Sequence, residues 1–235
     1  IIERMFVGGF ITEAQHEEAL AQVLKYQRQD PTPDWGEFVA EAARQLVFSQ
    51  YGDEAYSRGL DVTVTVRADD QQVAWAALRR GLMDYEARQH YRGPEAYVDL
   101  PADEKLLDAR VAEALAEHPD NGELRAAVVL EASPTQVRAM LLSGDVITVT
   151  GEGLRPVTSG LAAKAPPQRQ IRRGAVVRAL QSTEPRTRGA WRLTQLPDVQ
   201  GALVAMDPRT GALRAMVGGF DFGKTQFNRV TQAWR

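Results

Sequence analysis

The stretch 124-LRAAVVLEASPTQVRAMLLSGDVITVT-150 decides the fold of this chain. It holds three short runs rich in apolar and β-branched residues, 124–131, 136–142 and 146–150, which are separated by turn-forming Ser, Pro, Gly and Asp. Two similar runs follow at 175–181 and 191–196. Five short strands at close spacing predict a small antiparallel β-barrel or a sandwich. The OB-like barrel is the natural five-stranded candidate, since it also accepts a helical stretch between strands.

The region before this stretch has mainly helical periodicity. Apolar residues recur at helical spacing over 35–51 and again over 69–90, and a shorter helix is predicted over 103–117. Between the first two helices, residues 60–66 alternate Val with Thr or Asp, which predicts a β-strand. The predicted inner face of the 69–90 helix consists of Val73, Ala76, Ala77, Leu78 and Leu82. Together these elements predict an α/β unit beside the barrel.

Both ends of the chain carry local signals of their own. Thr12 is followed three residues later by Gln15, a capping-box pattern that predicts a helix from 13 to 24, and prolines at 31 and 33 break the chain after it. Near the other end, apolar runs at 201–206 and 212–217 flank the sequence DPRTG. Proline and glycine in such a linker are typical of a tight turn, so a β-hairpin is predicted.

Composition narrows the range of functions. Of the 235 residues 44% are hydrophobic, the net charge is -3, and there is no cysteine, so disulfides and cysteine-ligated zinc are excluded. The small negative charge argues against a dedicated nucleic-acid binder. The three histidines, His16, His90 and His118, are far apart in sequence, and there is no glycine-rich phosphate loop. We therefore predict no metal site and no cofactor, and the acidic pairs at helix starts are interpreted as capping residues.

A basic stretch offers a candidate interaction site. Between residues 164 and 192 the only acidic residue is Glu184. The candidate partner-binding residues in this stretch are Arg169, Arg172, Arg173, Arg178, Arg186, Arg188 and Trp191. If several of them shared one face of the barrel, they would attract the carboxylates of a ligand or of an acidic partner. The alternative is a solvated face that acidic neighbours balance.

Several motifs resemble one family. These are 51-YGDEAY-56, the strand 62-VTVT-65, the sequence 91-YRGP-94, and two later stretches, 201-GALVAMDP-208 and 227-FNRVTQAWR-235. In this order they resemble class A penicillin-binding proteins of the 1A type found in Gram-negative bacteria. The resemblance implies an α+β fold in four parts. They are the tail of a glycosyltransferase domain (1–30), an interdomain linker (31–92), an OB-like domain (93–197) and the first hairpin of a transpeptidase domain (198–235).

The resemblance also implies a role. Such proteins polymerise glycan strands and cross-link peptides on the periplasmic side of the inner membrane, held there by an N-terminal anchor, and the OB-like insertion docks an outer-membrane lipoprotein activator. No serine of this chain has lysine three positions later, the pair that acyl transfer requires in this family. The chain is therefore expected to be a non-catalytic spacer and docking segment. The alternative is an OB-fold that binds single-stranded nucleic acid, although Trp191 is the only aromatic residue from 164 to 192.

Overall fold

The computed structural model describes residues 2–21, 34–183 and 185–234. The chain divides into two compact units, Ile1–Thr32 and Pro33–Arg235. In the first unit, helices α1 (Ile2–Val7) and α2 (Glu13–Ala21) pack together. The Thr12 amide donates to Gln15 Oε1 at 2.9 Å and the Gln15 amide donates to Thr12 Oγ1 at 3.4 Å, which confirms the capping box. The predicted continuation of α2 to residue 24 lies outside the described residues.

The second unit contains the longer helices. They are α3 (Glu37–Tyr51), α4 (Ala68–Glu86), α5 (Glu104–Ala116) and the short α6 (Thr158–Leu161), and 3-10 turns follow α3 (Gly52–Tyr56) and precede α6 (Gly151–Val157). The predicted inner face of α4 is partly wrong, because Val73 and Ala76 are exposed. Leu82 is buried as predicted, and Ala74 and Met83 are buried on α4 as well. Three polar residues share that buried face with them.

An antiparallel sheet of six strands forms the OB-like part. The strands are β1 (Ala96–Tyr97), β2 (Leu124–Ala132), β3 (Gln136–Leu141), β4 (Val146–Thr150), β5 (Ala175–Gln181) and β6 (Trp191–Thr194). Their order is β1-β5-β2-β3-β4, and β6 also pairs with β5. The five predicted strands are present, but the predicted five-stranded barrel is not confirmed, because in the described part of the chain the sheet has six strands and does not close. Within the described residues no ladder joins β4 to β6, and the 3-10 turn before α6 packs against both strands.

Strands β2 and β5 of this sheet are buried on both faces over most of their length, whereas β4 exposes every second residue. One face forms a core around Val129, Val137 and Leu193. On the other face, Val111 and Leu115 of α5 pack against strands β2 and β5. A strand buried on both faces has no solvent-facing side chains to alternate with. This explains why the sequence of β2 is an almost continuous apolar run rather than an alternating one.

The second sheet is the predicted hairpin. Strands β7 (Leu203–Met206) and β8 (Leu213–Val217) pair antiparallel, and Asp207 Oδ1 accepts from the amides of Arg209 and Thr210 at 2.9 and 3.0 Å. Gly211 closes the turn with a φ of 72°, a conformation that favours glycine. One face of the hairpin packs on α4 through Ala74. The hairpin prediction is confirmed.

The strand predicted at residues 60–66 is wrong. Val62 and Val64 are 52% and 44% exposed. The Thr65 hydroxyl and, just after the segment, the Arg67 amide donate to the carbonyls of Leu213 and Arg214 on β8, but no β-ladder is formed among the described residues. The cause lies in α4, which begins at residue 68 and places a glutamine side chain against the rest of the β8 edge. A strand at 60–66 would need the same main-chain groups of β8.

Candidate functional site

Three buried polar side chains on one face of α4 form the most connected polar feature of the second unit. They are Gln71, Arg79 and Glu86, with relative exposures of 1%, 3% and 3%. Spacings of eight and seven residues place all three on the same side of a helix with 3.6 residues per turn. We call this set the α4 polar spine. Each member contacts a different part of the unit.

Gln71 hydrogen-bonds the outer edge of the hairpin, on strand β8. Its Nε2 donates to the Met216 carbonyl at 2.9 Å, and its Oε1 accepts from the Met216 amide at 2.8 Å. The amide side chain thus pairs with β8 as another strand would. Nε2 also donates to the carbonyl of Trp35 at 2.7 Å, which ties the start of the α3 region to the same point.

Arg79 joins α4 to the OB-like sheet and to the chain after β8. Its guanidinium donates to the carbonyl and the Oδ1 of Asn121 at 2.9 and 2.8 Å, to the Phe220 carbonyl at 2.9 Å, and to Glu123 at 3.1 to 3.2 Å. The cation also lies between the rings of Trp75 and Phe220, with centroids at 4.7 and 4.0 Å. A buried arginine that satisfies its donors in this way fixes the relative positions of all its partners.

Glu86 binds the chain segment just before the first strand of the OB-like sheet and the segment just after its last strand. Its carboxylate accepts from Arg92, before β1, and from Gln195 Nε2 at 2.6 Å, just after β6. Arg92 reaches further along the exit segment, to the Leu196 carbonyl at 2.5 Å and to Asp198 at 2.9 Å. Both ends of the inserted sheet are therefore anchored to one carboxylate of α4.

The charged groups beside the spine are engaged with one another. An open cleft of about 370 Å³ lies beside Glu86, but the charged groups of Glu86, Arg92 and Asp198 that line it are paired with one another. Within the described part of the chain there is no group of three or more His, Asp or Glu side chains placed to share a metal ion. No helix among the described residues is long and apolar enough to cross a membrane.

The structure removes Arg178 from the candidate partner-binding residues. Its side chain is 4% exposed, and it donates to both carboxylate oxygens of Glu95 at 2.6 and 2.8 Å and to the Pro119 carbonyl at 2.6 Å. Burial alone would raise the pKa of Glu95, but the hydrogen bonds and charge of Arg178, with a contribution from His118, hold that pKa below its ordinary value. Arg178 is a structural residue, and the prediction of a shared basic face was wrong for it.

The remaining basic residues form two separate groups. Arg169, Arg172 and Arg173 precede β5 and are exposed; we call them the basic loop. Arg186 and Arg188 lie in the connection after β5, at the other end of a seven-residue strand that spans about 23 Å. Trp191 is only partly exposed, because it packs against the core of the OB-like sheet.

The arginines of the basic loop differ in their surroundings from other arginines of the same domain. Among the described residues no carboxylate lies within ion-pair distance of its three guanidinium groups, whereas Arg125, Arg138 and Arg155 of the same domain each have one. Arg172 instead stacks over the ring of Tyr97 at 4.6 Å. The single hydroxyl proton of Tyr97 is shared between the carbonyls of Gln170 and Pro167, at 2.7 and 2.9 Å, which holds the loop against β1.

Sequence reasoning missed the α4 polar spine. The signal was present, since glutamine, arginine and glutamate recur at spacings of eight and seven residues along a helix whose same face also carries Ala74 and Leu82. Apolar residues were assigned to the inner face by periodicity alone. The main-chain groups that the spine satisfies come from segments up to 145 residues away, and no local pattern indicates them.

Comparisons with known proteins agree on one family. Residues 91–199 match the model of the penicillin-binding protein OB-like domain. The whole chain is 37% identical to penicillin-binding protein 1A of Neisseria lactamica and 32% identical to that of Escherichia coli, and it spans 29% and 28% of those proteins. It also resembles the crystal structure of penicillin-binding protein 1A from Haemophilus influenzae, with a TM-score of 0.75 and 28% identity over 98% of this chain and 32% of that one.

Proposed function

Because the chain belongs to the class A penicillin-binding proteins of the 1A type, we propose that it is the segment linking the glycosyltransferase and transpeptidase of a bifunctional peptidoglycan synthase. In this proposal residues 1–30 end the first catalytic domain and residues 198–235 begin the second. The linker (31–92) and the OB-like domain (93–197) lie between them, on the periplasmic side of the inner membrane. The chain spans under a third of its relatives' length, so the activity of the whole protein is part of the proposal.

The observation that carries the spacer role is the α4 polar spine. One linker helix hydrogen-bonds the hairpin through Gln71, the base of β2 through Arg79, and both connections of the OB-like sheet through Glu86. Buried, charge-assisted hydrogen bonds have narrow geometry and are costly to break. They would hold the OB-like domain in a set orientation beside the first strands of the transpeptidase. A loose tether would need none of them.

The proposal treats this segment as non-catalytic. Lys224 is followed by Thr225 and Gln226 rather than by the Thr-Gly of the family's third motif, and no serine precedes a lysine by three positions. The purified chain incubated with a fluorescent penicillin should show no covalent label after denaturing electrophoresis. A full-length relative run alongside should be labelled. A labelled band at the mass of this chain would contradict the non-catalytic assignment.

The docking role is assigned to the basic loop. Its three arginines are exposed and have no carboxylate partner among the described residues, so they favour an acidic surface, and the partner we propose is an outer-membrane lipoprotein activator. Peptidoglycan stem carboxylates are the second possible ligand. Single-stranded nucleic acid is less suited, because Trp191 is only partly exposed and cannot serve as a stacking platform beside the loop.

Charge reversal tests this assignment. Replacing Arg169 and Arg172 with Glu should weaken binding of the purified activator at least tenfold by surface plasmon resonance, and the loss should shrink as salt is raised. Arg173 is left in place because its guanidinium also donates to the Leu130 and Pro101 carbonyls. The same reversal at Arg186 and Arg188 is the control and should change affinity much less. Equal losses in both variants, or none in either, would refute the basic loop as the docking surface. A salt-sensitive gel shift with oligonucleotide would instead favour nucleic acid.

A further inference from the structure

We infer that Arg79, Asn121 and Asp221 form a junction through which the position of the OB-like sheet is coupled to the loop after β8, residues 218–234. Asn121 lies at the base of β2, where its amide and carbonyl pair with the carbonyl and amide of Leu124. Asp221 lies in the loop. The two side chains meet directly, with Asn121 Nδ2 donating to Asp221 Oδ2 at 2.5 Å.

On the sheet side of the junction, Asn121 and Gly122 lie in close contact with the Arg79 guanidinium. Arg79 Nη2 donates to both the carbonyl and the Oδ1 of Asn121. At the next position, Gly122 has a φ of +57°, and a Cβ there would lie 3.1 Å from Arg79 Nη2 and 3.4 Å from the Trp75 ring. A side chain there would press on the guanidinium and would also be strained by the positive φ. A movement of the β2 base would therefore displace Arg79 or break its bonds to Asn121.

The loop side is organised by the same groups. Arg79 Nη1 donates to the Phe220 carbonyl, and the guanidinium lies 4.0 Å from the centre of the Phe220 ring. Asp221 shares its carboxylate, since Oδ2 accepts from Asn121 while Oδ1 accepts from the Lys224 amide at 3.2 Å. Its carbonyl accepts from the Thr225 amide. The turn that begins the loop is thus built on residues that also bind the sheet.

Through this coupling, a partner bound to the OB-like domain would affect the start of the second catalytic domain. Residues 227–235 resemble the approach to the transpeptidase nucleophile, so a partner that shifts the OB-like sheet would alter the path of that approach. This regulatory meaning rests on the proposed function. The coupling itself is a property of the contacts and is measurable in this chain without partner or substrate.

A reciprocal exchange of side chains tests the coupling. Asn121→Asp removes the donor to Asp221 and places two carboxylates together, and this should release the loop. Adding Asp221→Asn restores one donor and one acceptor in reversed positions, and the new amide can still accept from Lys224 through its Oδ1. The readout is hydrogen exchange by mass spectrometry on the peptide that contains Phe220, Lys224 and Thr225. A charge-assisted hydrogen bond corresponds to about tenfold or more in local protection.

We expect the single variant to lose about tenfold of the protection in residues 218–226 and the double variant to recover most of it. Gly122→Ala should produce a similar loss in the same peptide, because its Cβ presses on Arg79. Gly151→Ala is the matched control, with a φ of +53° and no atom within 4 Å of the added Cβ. Unchanged protection in the Asn121→Asp variant, failure of the exchange to restore it, or equal loss in both glycine variants would overturn the coupling. None of these outcomes depends on whether the activator binds.

Discussion

Replacing Gln71 with leucine tests how much the α4 polar spine contributes to the folded state. The side chain is 1% exposed, and its amide satisfies the Met216 amide, the Met216 carbonyl and the Trp35 carbonyl. A buried main-chain group left without a partner costs about 1 to 3 kcal/mol. Gln71→Leu leaves two such groups on β8 and the less buried Trp35 carbonyl without a partner, and the added apolar surface offsets part of this cost. We therefore expect the free energy of unfolding to fall by about 3 kcal/mol.

The assay is urea denaturation followed by circular dichroism, with Gln72→Leu as the matched control. Gln72 is the next residue of the same helix and is exposed, so its replacement should change stability by no more than about 0.5 kcal/mol. With a urea m-value of about 2 to 3 kcal/mol/M for a unit of this size, Gln71→Leu should lower the midpoint by roughly 1 M. Equal midpoints for the two variants would refute the idea that Gln71 satisfies the edge of β8 in place of a neighbouring strand.

Three further predictions concern the OB-like domain. Arg178→Met should cost about 3 kcal/mol of unfolding free energy, because it leaves only His118 beside the Glu95 carboxylate and leaves the Pro119 carbonyl without its donor, whereas Arg172→Met should cost under about 1 kcal/mol. Similar urea midpoints for both variants would return Arg178 to the docking surface. Because the pKa of Glu95 is lowered in the folded state, its stabilising contribution is present above an unfolded pKa of about 4.3 and is lost as pH falls through the lower folded value. The stability difference between wild type and Glu95→Gln should therefore shrink in urea titrations below about pH 4, and a constant difference from pH 7 to 3 would contradict the shift. Gly174→Ala should have a much lower melting temperature than Gly189→Ala. Both glycines have a φ of +84°, but only at Gly174 would the added Cβ collide with a main-chain carbonyl oxygen. Equal melting temperatures would show that the positive φ alone, and not the collision, determines the loss of stability.

The sequence was most informative where one local interaction determines the structure. Thr12 and Gln15 cap the same helix end and are three residues apart, so their pairing is visible in the sequence. The turn between β7 and β8 is equally local, with Asp207 accepting from the amides two and three residues later. The five main strands of the OB-like sheet were also predicted, because their apolar runs are bounded by strong turn residues.

Predictions were wrong where a contact with a residue far away in the sequence determines the structure. Residues 60–66 have a strand pattern, but Gln71 takes the β8 groups that a strand would need. Arg178 was grouped with its exposed neighbours, although its partner, Glu95, is 83 residues away. The short strand β1 has only two residues and no apolar run, so periodicity could not indicate a sixth strand or the open form of the sheet. In each case the deciding contact joins segments that are far apart in the chain.

The central claim is that α4 holds the OB-like domain and the hairpin in one orientation, and a distance distribution tests it most directly. The chain has no cysteine, so spin labels can be placed at Thr135→Cys, on the β2–β3 turn, and Arg209→Cys, on the hairpin turn, both exposed. Double electron-electron resonance should give one narrow distance distribution, which becomes clearly broader when Arg79→Met is added while the circular dichroism spectrum is retained. A broad distribution in the doubly labelled parent, or one whose width does not change with Arg79→Met, would contradict the claim.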